Sequence, residues 1–67
     1  MILLNGEHSE RGAGLAVTAV LGLLDLAPDA RGVAVAVDGE VVPRASWASF
    51  QIPDGARVEV LTAMQGG

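Results

Sequence analysis

The sequence predicts an α+β domain, a mixed sheet of about five strands with one main helix packed on one face. Strict alternation of valine and alanine from Val33 to Val37 is typical of a strand buried on one side. Apolar residues at helical spacing begin at Val17. Turn-forming residues, at Asn5-Gly6, Asp38-Gly39 and Pro53-Asp54-Gly55, divide the remaining apolar runs into short strands.

Length and composition limit the chain to one small packed domain. It has 67 residues, of which 51% are hydrophobic and 18% are charged, a balance that favours a globule over a disordered segment. Cysteine is absent, which excludes a disulfide, a thiolate metal site and a thiol nucleophile. Lysine is absent too, so the terminal amine is the only primary amine.

The charge pattern argues against nucleic acid and membrane partners. The chain has eight acidic residues and four arginines, and the arginines do not cluster. This negative charge is more compatible with a basic partner protein than with a nucleic acid. The longest apolar run, from Gly12 to Leu24, is interrupted and shorter than the ~20 residues of a membrane span. No basic segment precedes it as in a signal peptide, so a cytoplasmic protein is expected.

The first three elements follow from local signals. The apolar run at the N-terminus is a strand, closed by Asn5-Gly6, and the polar segment from Glu7 to Gly12 is its edge partner. A helix of about nine residues is expected from Val17, with no Ser, Thr or Asp cap before it, and Pro28 and Asp29 end the pattern. One face of this helix carries Val17, Val20, Leu21 and Leu24.

The second half predicts a hairpin, a helical turn and a last strand. Asp38-Gly39 joins the alternating strand to a short partner that Pro43 ends. Ser46 to Phe50 is interpreted as a helical turn in which Trp47 anchors the side of the core. Arg57 to Thr62 is the last strand.

The parity of the last strand predicts an exposed apolar strip. Glu59 must face water, so Val58 and Val60 face the helix, and Leu61 lies on the open face. If the first and last strands are neighbours, a strip on that face forms a candidate partner surface, made by Leu3, Leu61, Ala34 and Ala36.

No side-chain constellation for catalysis or metal binding is found. His8 has no second histidine or cysteine with which to bind a metal, and the serines have no nearby base. Gly12 and Gly14 lack the third glycine of a dinucleotide fingerprint. The chain is therefore predicted not to be an enzyme, and to bind no metal or cofactor of its own.

The C-terminal tail is the candidate reactive segment. The predicted domain is 1–62, and residues 63–67 form a flexible tail that extends roughly 17 Å. Met64, Gln65 and Gly66 are expected to enter a partner protein. Glycine suits this role because it fits channels that are too narrow for other residues. The terminal carboxylate of Gly67 is the group available for chemistry.

The whole chain resembles the ThiS family of sulfur carriers, which have the ubiquitin-like β-grasp fold. The resemblance rests on the terminal Gly66-Gly67, on the strand leading into it, and on the stretch V-A-V-A-V-D-G-E-V-V-P-R with Trp47 three residues on. The Gly-Gly end is common to ubiquitin-like carriers, whereas the hairpin stretch is typical of ThiS proteins.

The resemblance implies a function for the tail. A ThiF-like enzyme would use ATP and magnesium to adenylate Gly67, and the glycyl adenylate would become a thiocarboxylate, 1-thioglycine. The sulfur would come from a cysteine desulfurase or rhodanese-type donor and pass to thiazole synthase, ThiG, in thiamin biosynthesis. The alternatives are a MoaD-like carrier for molybdopterin, a ubiquitin-like protein modifier and a β-grasp interaction module.

Overall fold

The computed structural model describes residues 1–62, which form one five-stranded sheet and one α-helix. The predicted tail, residues 63–67, lies outside the described residues. The helix, α1, spans Val17–Leu23, and a short 3-10 helix spans Arg44–Ser46. The strands are β1 Ile2–Leu4, β2 Glu7–Ser9, β3 Val33–Val37, β4 Glu40–Val41 and β5 Arg57–Thr62.

The strand order in the sheet is β2-β1-β5-β3-β4. The central pair, β1 and β5, is parallel, and the other three pairs are antiparallel. The first and last strands are therefore neighbours, although they lie at opposite ends of the chain. This mixed sheet with one helix confirms the predicted α+β class and the β-grasp architecture.

Both hairpins have the turn geometry that their sequences predict. Asn5 and Asp38 have positive φ angles of 51° and 52°, and the glycine that follows each has a φ of 85° or 86°. Two successive residues with positive φ match the twist of the flanking strands, which explains the Asn-Gly and Asp-Gly pairs.

The turn side chains also hold the last strand. Asn5 Oδ1 accepts a hydrogen bond from the backbone N–H of Val60 at 2.7 Å, and Asp38 Oδ1 accepts one from Arg57 at 2.9 Å. The side chain of each turn residue thus also fixes the position of the turn against β5, which lies far away along the chain.

The helix is shorter than predicted and is stabilised at its start by tertiary contacts. It has seven residues instead of about nine, because the chain reverses at Asp25, which has a φ of 61°, before Pro28 is reached. Its N-cap, Ala16, makes no side-chain cap bond. The N–H groups of Val17 and Thr18 instead donate to the carbonyls of Phe50 and Trp47, at 3.1 and 3.3 Å.

The segment after β4 carries the predicted aromatic anchor. The 3-10 helix begins two residues before the predicted turn, although a bond from Phe50 N to Ser46 O of 2.8 Å lies within the predicted range. Trp47 is 3% exposed, and its Nε1 donates to the carbonyl of Val42 at 3.0 Å. The guanidinium of Arg44 lies 4.7 Å from the Trp47 ring centre and covers it.

The core lies between the helix and one face of the sheet. The predicted strand parity is confirmed, since the inward-facing positions are buried and their neighbours are more exposed. The buried hydrophobic residues are Ile2, Leu4, Val17, Val20, Leu21, Val35, Val37, Val42, Trp47, Ile52, Ala56, Val58 and Val60.

Candidate functional site

The end of β5 is the site from which the predicted tail would leave the domain. β5 is the central strand of the sheet and lies between β1 and β3. Five of its residues pair with β3, from Val58 opposite Val37 to Thr62 opposite Val33. The pairs with β1 end at Val58, whereas the pairs with β3 continue to Thr62, so the departure point is held from the β3 side.

The open face of the sheet carries an apolar trough beside this departure point. Leu61 is 66% exposed and pairs with Ala34, while Val41 is 73% exposed and pairs with Ala36. The two alanines lie on β3, between Leu61 of β5 and Val41 of β4, and their small side chains leave a shallow depression there. We call these four residues the open-face trough.

Val41 is a surface residue that sequence reasoning missed. The two-residue turn at Asp38-Gly39 aligns Val37 with Glu40, and hence Ala36 with Val41. Because paired residues project from the same face, the position of Ala36 already determines that of Val41. The hairpin register was therefore the signal that could have found it.

The predicted strip from Leu3 to Leu61 is not continuous. Leu3 pairs with Arg57, four residues before Leu61, which places the two leucines about 13 Å apart along β5. Glu59 projects from the same face between them and is exposed, whereas Leu3 is half-buried. The prediction of one strip is wrong because the β1–β5 register separates its two ends; a partner role for either leucine stays a prediction.

A shallow open groove lies at the base of the tail. It is lined by Gly32, Val33, Ala34, Leu61 and Thr62, and its surface is mainly apolar. Leu61 and Ala34 belong both to this groove and to the open-face trough. The groove and the trough therefore adjoin on this face, where Glu59, which pairs with Ala36, also projects.

The carboxylate with a clearly perturbed pKa lies at the other end of β5. The N-terminal ammonium of Met1 donates a hydrogen bond to Asp54, and this bond and its charge hold the pKa of that carboxyl below its ordinary value. Asp54 precedes β5, whereas the tail follows it. Its environment therefore has no bearing on chemistry at the tail.

The polar side chains considered for catalysis do not form a site in the described part of the chain. His8 is exposed on the edge strand β2, and the hydroxyl of Ser9 donates to the carbonyl of Arg11 at 2.8 Å. Residues 1–62 contain no group of three or more His, Cys, Asp or Glu residues arranged to bind a metal ion. Within the same residues, no helix has the length and apolar character needed to cross a membrane.

The predicted tail residues Met64, Gln65, Gly66 and Gly67 lie outside the described residues, so their roles stay predictions. What the structure does place is Leu61 and Thr62 immediately before them.

Comparison with known proteins places this geometry in a family. The model of the ThiS family matches residues 2–67. Two solved structures of a thiamine biosynthesis protein, ThiS, from Geobacter metallireducens are similar to this chain. The crystal structure is 34% identical, with a TM-score of 0.75, and the alignment covers 98% of this chain and 97% of that one. The solution structure is 35% identical, with a TM-score of 0.77, and the alignment covers 98% and 86%.

A longer protein contains a similar segment. A protein named thiazole synthase from Paramagnetospirillum magneticum (strain ATCC 700264 / AMB-1) is 36% identical over 66 residues. These are 98% of this chain but 20% of that protein, so the chain spans about a fifth of the length of this curated relative. With a family match over nearly its whole length and the same fold in solved relatives, this chain belongs to the ThiS family.

Proposed function

We propose that this protein carries sulfur as a thiocarboxylate on the C-terminal carboxylate of Gly67. The observation that carries the proposal is the geometry at the end of β5, where a centrally held strand leads directly into the Gly-Gly tail. The apolar surface beside it suits a partner that receives the tail. Membership in the ThiS family supports the same function.

The reaction needs an activated carboxylate. An oxygen of the Gly67 carboxylate attacks the α-phosphorus of ATP on a ThiF-like adenylating enzyme, which binds the magnesium ion, and pyrophosphate leaves. A sulfur nucleophile from a cysteine desulfurase or rhodanese-type donor then attacks the acyl carbon and displaces AMP. The transferred sulfur of the donor's persulfide is then still bound to the donor's own sulfur. A thiol of the partner enzymes attacks that donor sulfur, forms a disulfide with it as the two-electron reductant, and releases a thiocarboxylate in which one sulfur atom replaces one oxygen.

The composition of the chain protects such an intermediate. An acyl adenylate reacts with thiols and amines, and this sequence contains neither cysteine nor lysine. The adenylate at Gly67 therefore meets no nucleophilic side chain of these two kinds from its own domain. The reducing cytoplasm, where thiols and ATP are both present, is the compartment that we propose for this chemistry.

Thiazole synthase is the proposed acceptor of the sulfur. The P. magneticum protein of that name contains a segment similar to this entire domain. Such a combination supports a physical association between the carrier and the synthase. The tail then delivers the thiocarboxylate into the synthase active site, and the catalytic groups belong to the partners.

Deletion of Gly67 tests the proposal. The full chain, incubated with a ThiF-like enzyme, magnesium, ATP and a sulfur donor, should gain the mass difference between sulfur and oxygen at its C-terminus. The variant without Gly67 should keep the fold of residues 1–62, because the described hydrophobic core is built from residues of that domain, and it should lose sulfur transfer completely.

The matched control is His8→Ala, which changes an exposed residue of the edge strand β2, leaves the tail and its Gly-Gly end unchanged, and should be converted. Sulfur transfer by the deletion variant would contradict the proposal. Conjugates to other proteins would indicate a protein modifier instead, and transfer to molybdopterin synthase alone would indicate a MoaD-like carrier.

A further inference from the structure

The last strand continues beyond its neighbour on one side. The last register pair between β1 and β5 joins Leu4 to Val58, after which the chain turns away at Asn5-Gly6. β5 continues to Thr62 and stays paired with β3 over this length. Among residues 1–62, no strand lies beside the final residues of β5 on the β1 side.

The hydrogen bonds show which backbone groups point towards that side. Leu3 N donates to Ala56 O and Asn5 N donates to Val58 O, both at 2.9 Å, and Val60 N donates to Asn5 Oδ1. Every second residue of β5 thus directs its N–H and C=O towards β1. By this alternation, Thr62 directs its own N–H and C=O to the same side and away from β3, even though it lies opposite Val33.

We propose that the backbone edge at Thr62 pairs with an extended segment of the adenylating enzyme, which adds to the sheet in line with β1. This inference rests on the proposed function, because it names the partner that receives the tail. Pairing of main chains through a free strand edge gives affinity without requiring a particular side chain. An enzyme that activates Gly67 must bring its own chain close to Thr62, since Gly67 follows only five positions later, a span of about 17 Å in an extended chain.

Asn5 sets where this pairing begins. Its carboxamide oxygen already occupies the N–H of Val60, so the first N–H of β5 that remains on this side for the incoming segment is that of Thr62. The register then determines how far Gly67 reaches into the enzyme. A slip of one residue would move the carboxylate by about 3.4 Å, enough to remove it from reach of the α-phosphate.

The inference is tested by amide hydrogen exchange on the full-length carrier, alone and bound to a ThiF-like enzyme. In the free carrier, the Leu61 amide, which faces β3, should exchange slowly and the Thr62 amide should exchange fast. In the complex, exchange at Thr62 should slow at least tenfold. Adenylation without any slowing at Thr62 would overturn this inference alone, whereas failure of the enzyme to adenylate the carrier would overturn the proposed function, and this inference with it.

Two variants separate the backbone from the side chain. Thr62→Pro removes the N–H without disturbing the β3 ladder, and should lower adenylation at least tenfold with the fold retained. Thr62→Val keeps the N–H and removes the hydroxyl, and should be adenylated several-fold faster than Thr62→Pro. Equal loss in both variants, or none in Thr62→Pro, would overturn the inference; if Thr62→Pro does not fold, the exchange measurement decides.

Discussion

At the scale of single residues, side chains in the turns accept hydrogen bonds from residues far away along the chain. Asn5 is exposed and has a positive φ, yet its side chain accepts a bond from Val60, 55 positions along the chain. Asp38 does the same for Arg57. A residue type selected for its local conformation therefore also satisfies a backbone donor of the central strand.

Substitutions at Asn5 separate these two roles. Asn5→Gly keeps the positive φ and removes the acceptor, so it should lower the free energy of unfolding by about 1 kcal/mol. Asn5→Ala also introduces strain at the positive φ and should cost about 2 kcal/mol. Urea unfolding followed by Trp47 fluorescence measures both values. Equal losses in the two variants would show that the conformation of the turn contributes nothing.

Glycine at position 12 shows a different constraint on a single residue. Its φ is 114°, and a Cβ there would lie 2.6 Å from Cδ1 of Ile2 in the core. Both the backbone conformation and the packing therefore favour glycine at this position. Gly12 and Gly14 resemble part of a nucleotide-binding motif. The positive φ and the close packing against Ile2 explain the first of these glycines without a nucleotide.

At the scale of elements, the helix depends on the segment that follows β4. With seven residues and no side-chain cap, α1 is too short to be stable alone. Its first N–H groups donate to the carbonyls of Trp47 and Phe50, and its buried face packs on the sheet. The aromatic anchor thus stabilises the helix as well as filling the side of the core.

Replacement of Gly22 by alanine should stabilise this helix. Gly22 is exposed, and a Cβ at this position would meet nothing within 4 Å. Gly22→Ala should therefore raise the free energy of unfolding by roughly 0.5–1 kcal/mol. The matched control is Gly14→Ala, where space is also open but φ is 79°, so that variant should be less stable than the parent. An unchanged urea midpoint for Gly22→Ala would contradict the prediction.

At the scale of the whole molecule, the two faces of the sheet have different roles. One is covered by the helix and forms the core, while the other carries the open-face trough next to the origin of the tail. An exposed Leu61 or Val41 alone would be ordinary for a small protein. Their arrangement around two alanines of β3, beside the strand that precedes the tail, favours a docking surface for the partners.

Substitution in the trough should affect partner binding more than folding. Leu61→Ser removes an exposed apolar side chain and should lower the rate of Gly67 adenylation about tenfold at limiting carrier, mainly through KM, with little change in the free energy of unfolding. Leu15→Ser is the matched control, because Leu15 is also exposed but precedes the helix rather than lying on the sheet. If both variants are adenylated at the parent rate, the trough is not the docking surface.

The sequence by itself determined the elements that rest on local preference: the hairpin turns, the alternation that separates Val35 and Val37 from the alanines, and the last strand. Backbone dihedral preferences and side-chain periodicity are properties of a few neighbouring residues, which is why these predictions held.

Only the tertiary structure decided how distant segments align. The register of β1 on β5 separated Leu3 from Leu61, and the chain reversal at Asp25 shortened the helix. The free edge at Thr62 follows from the difference in where β1 and β5 end. The alignment of β1 with β5 joins residues 54 positions apart, where the packing of the whole core, and not any local preference, selects one register.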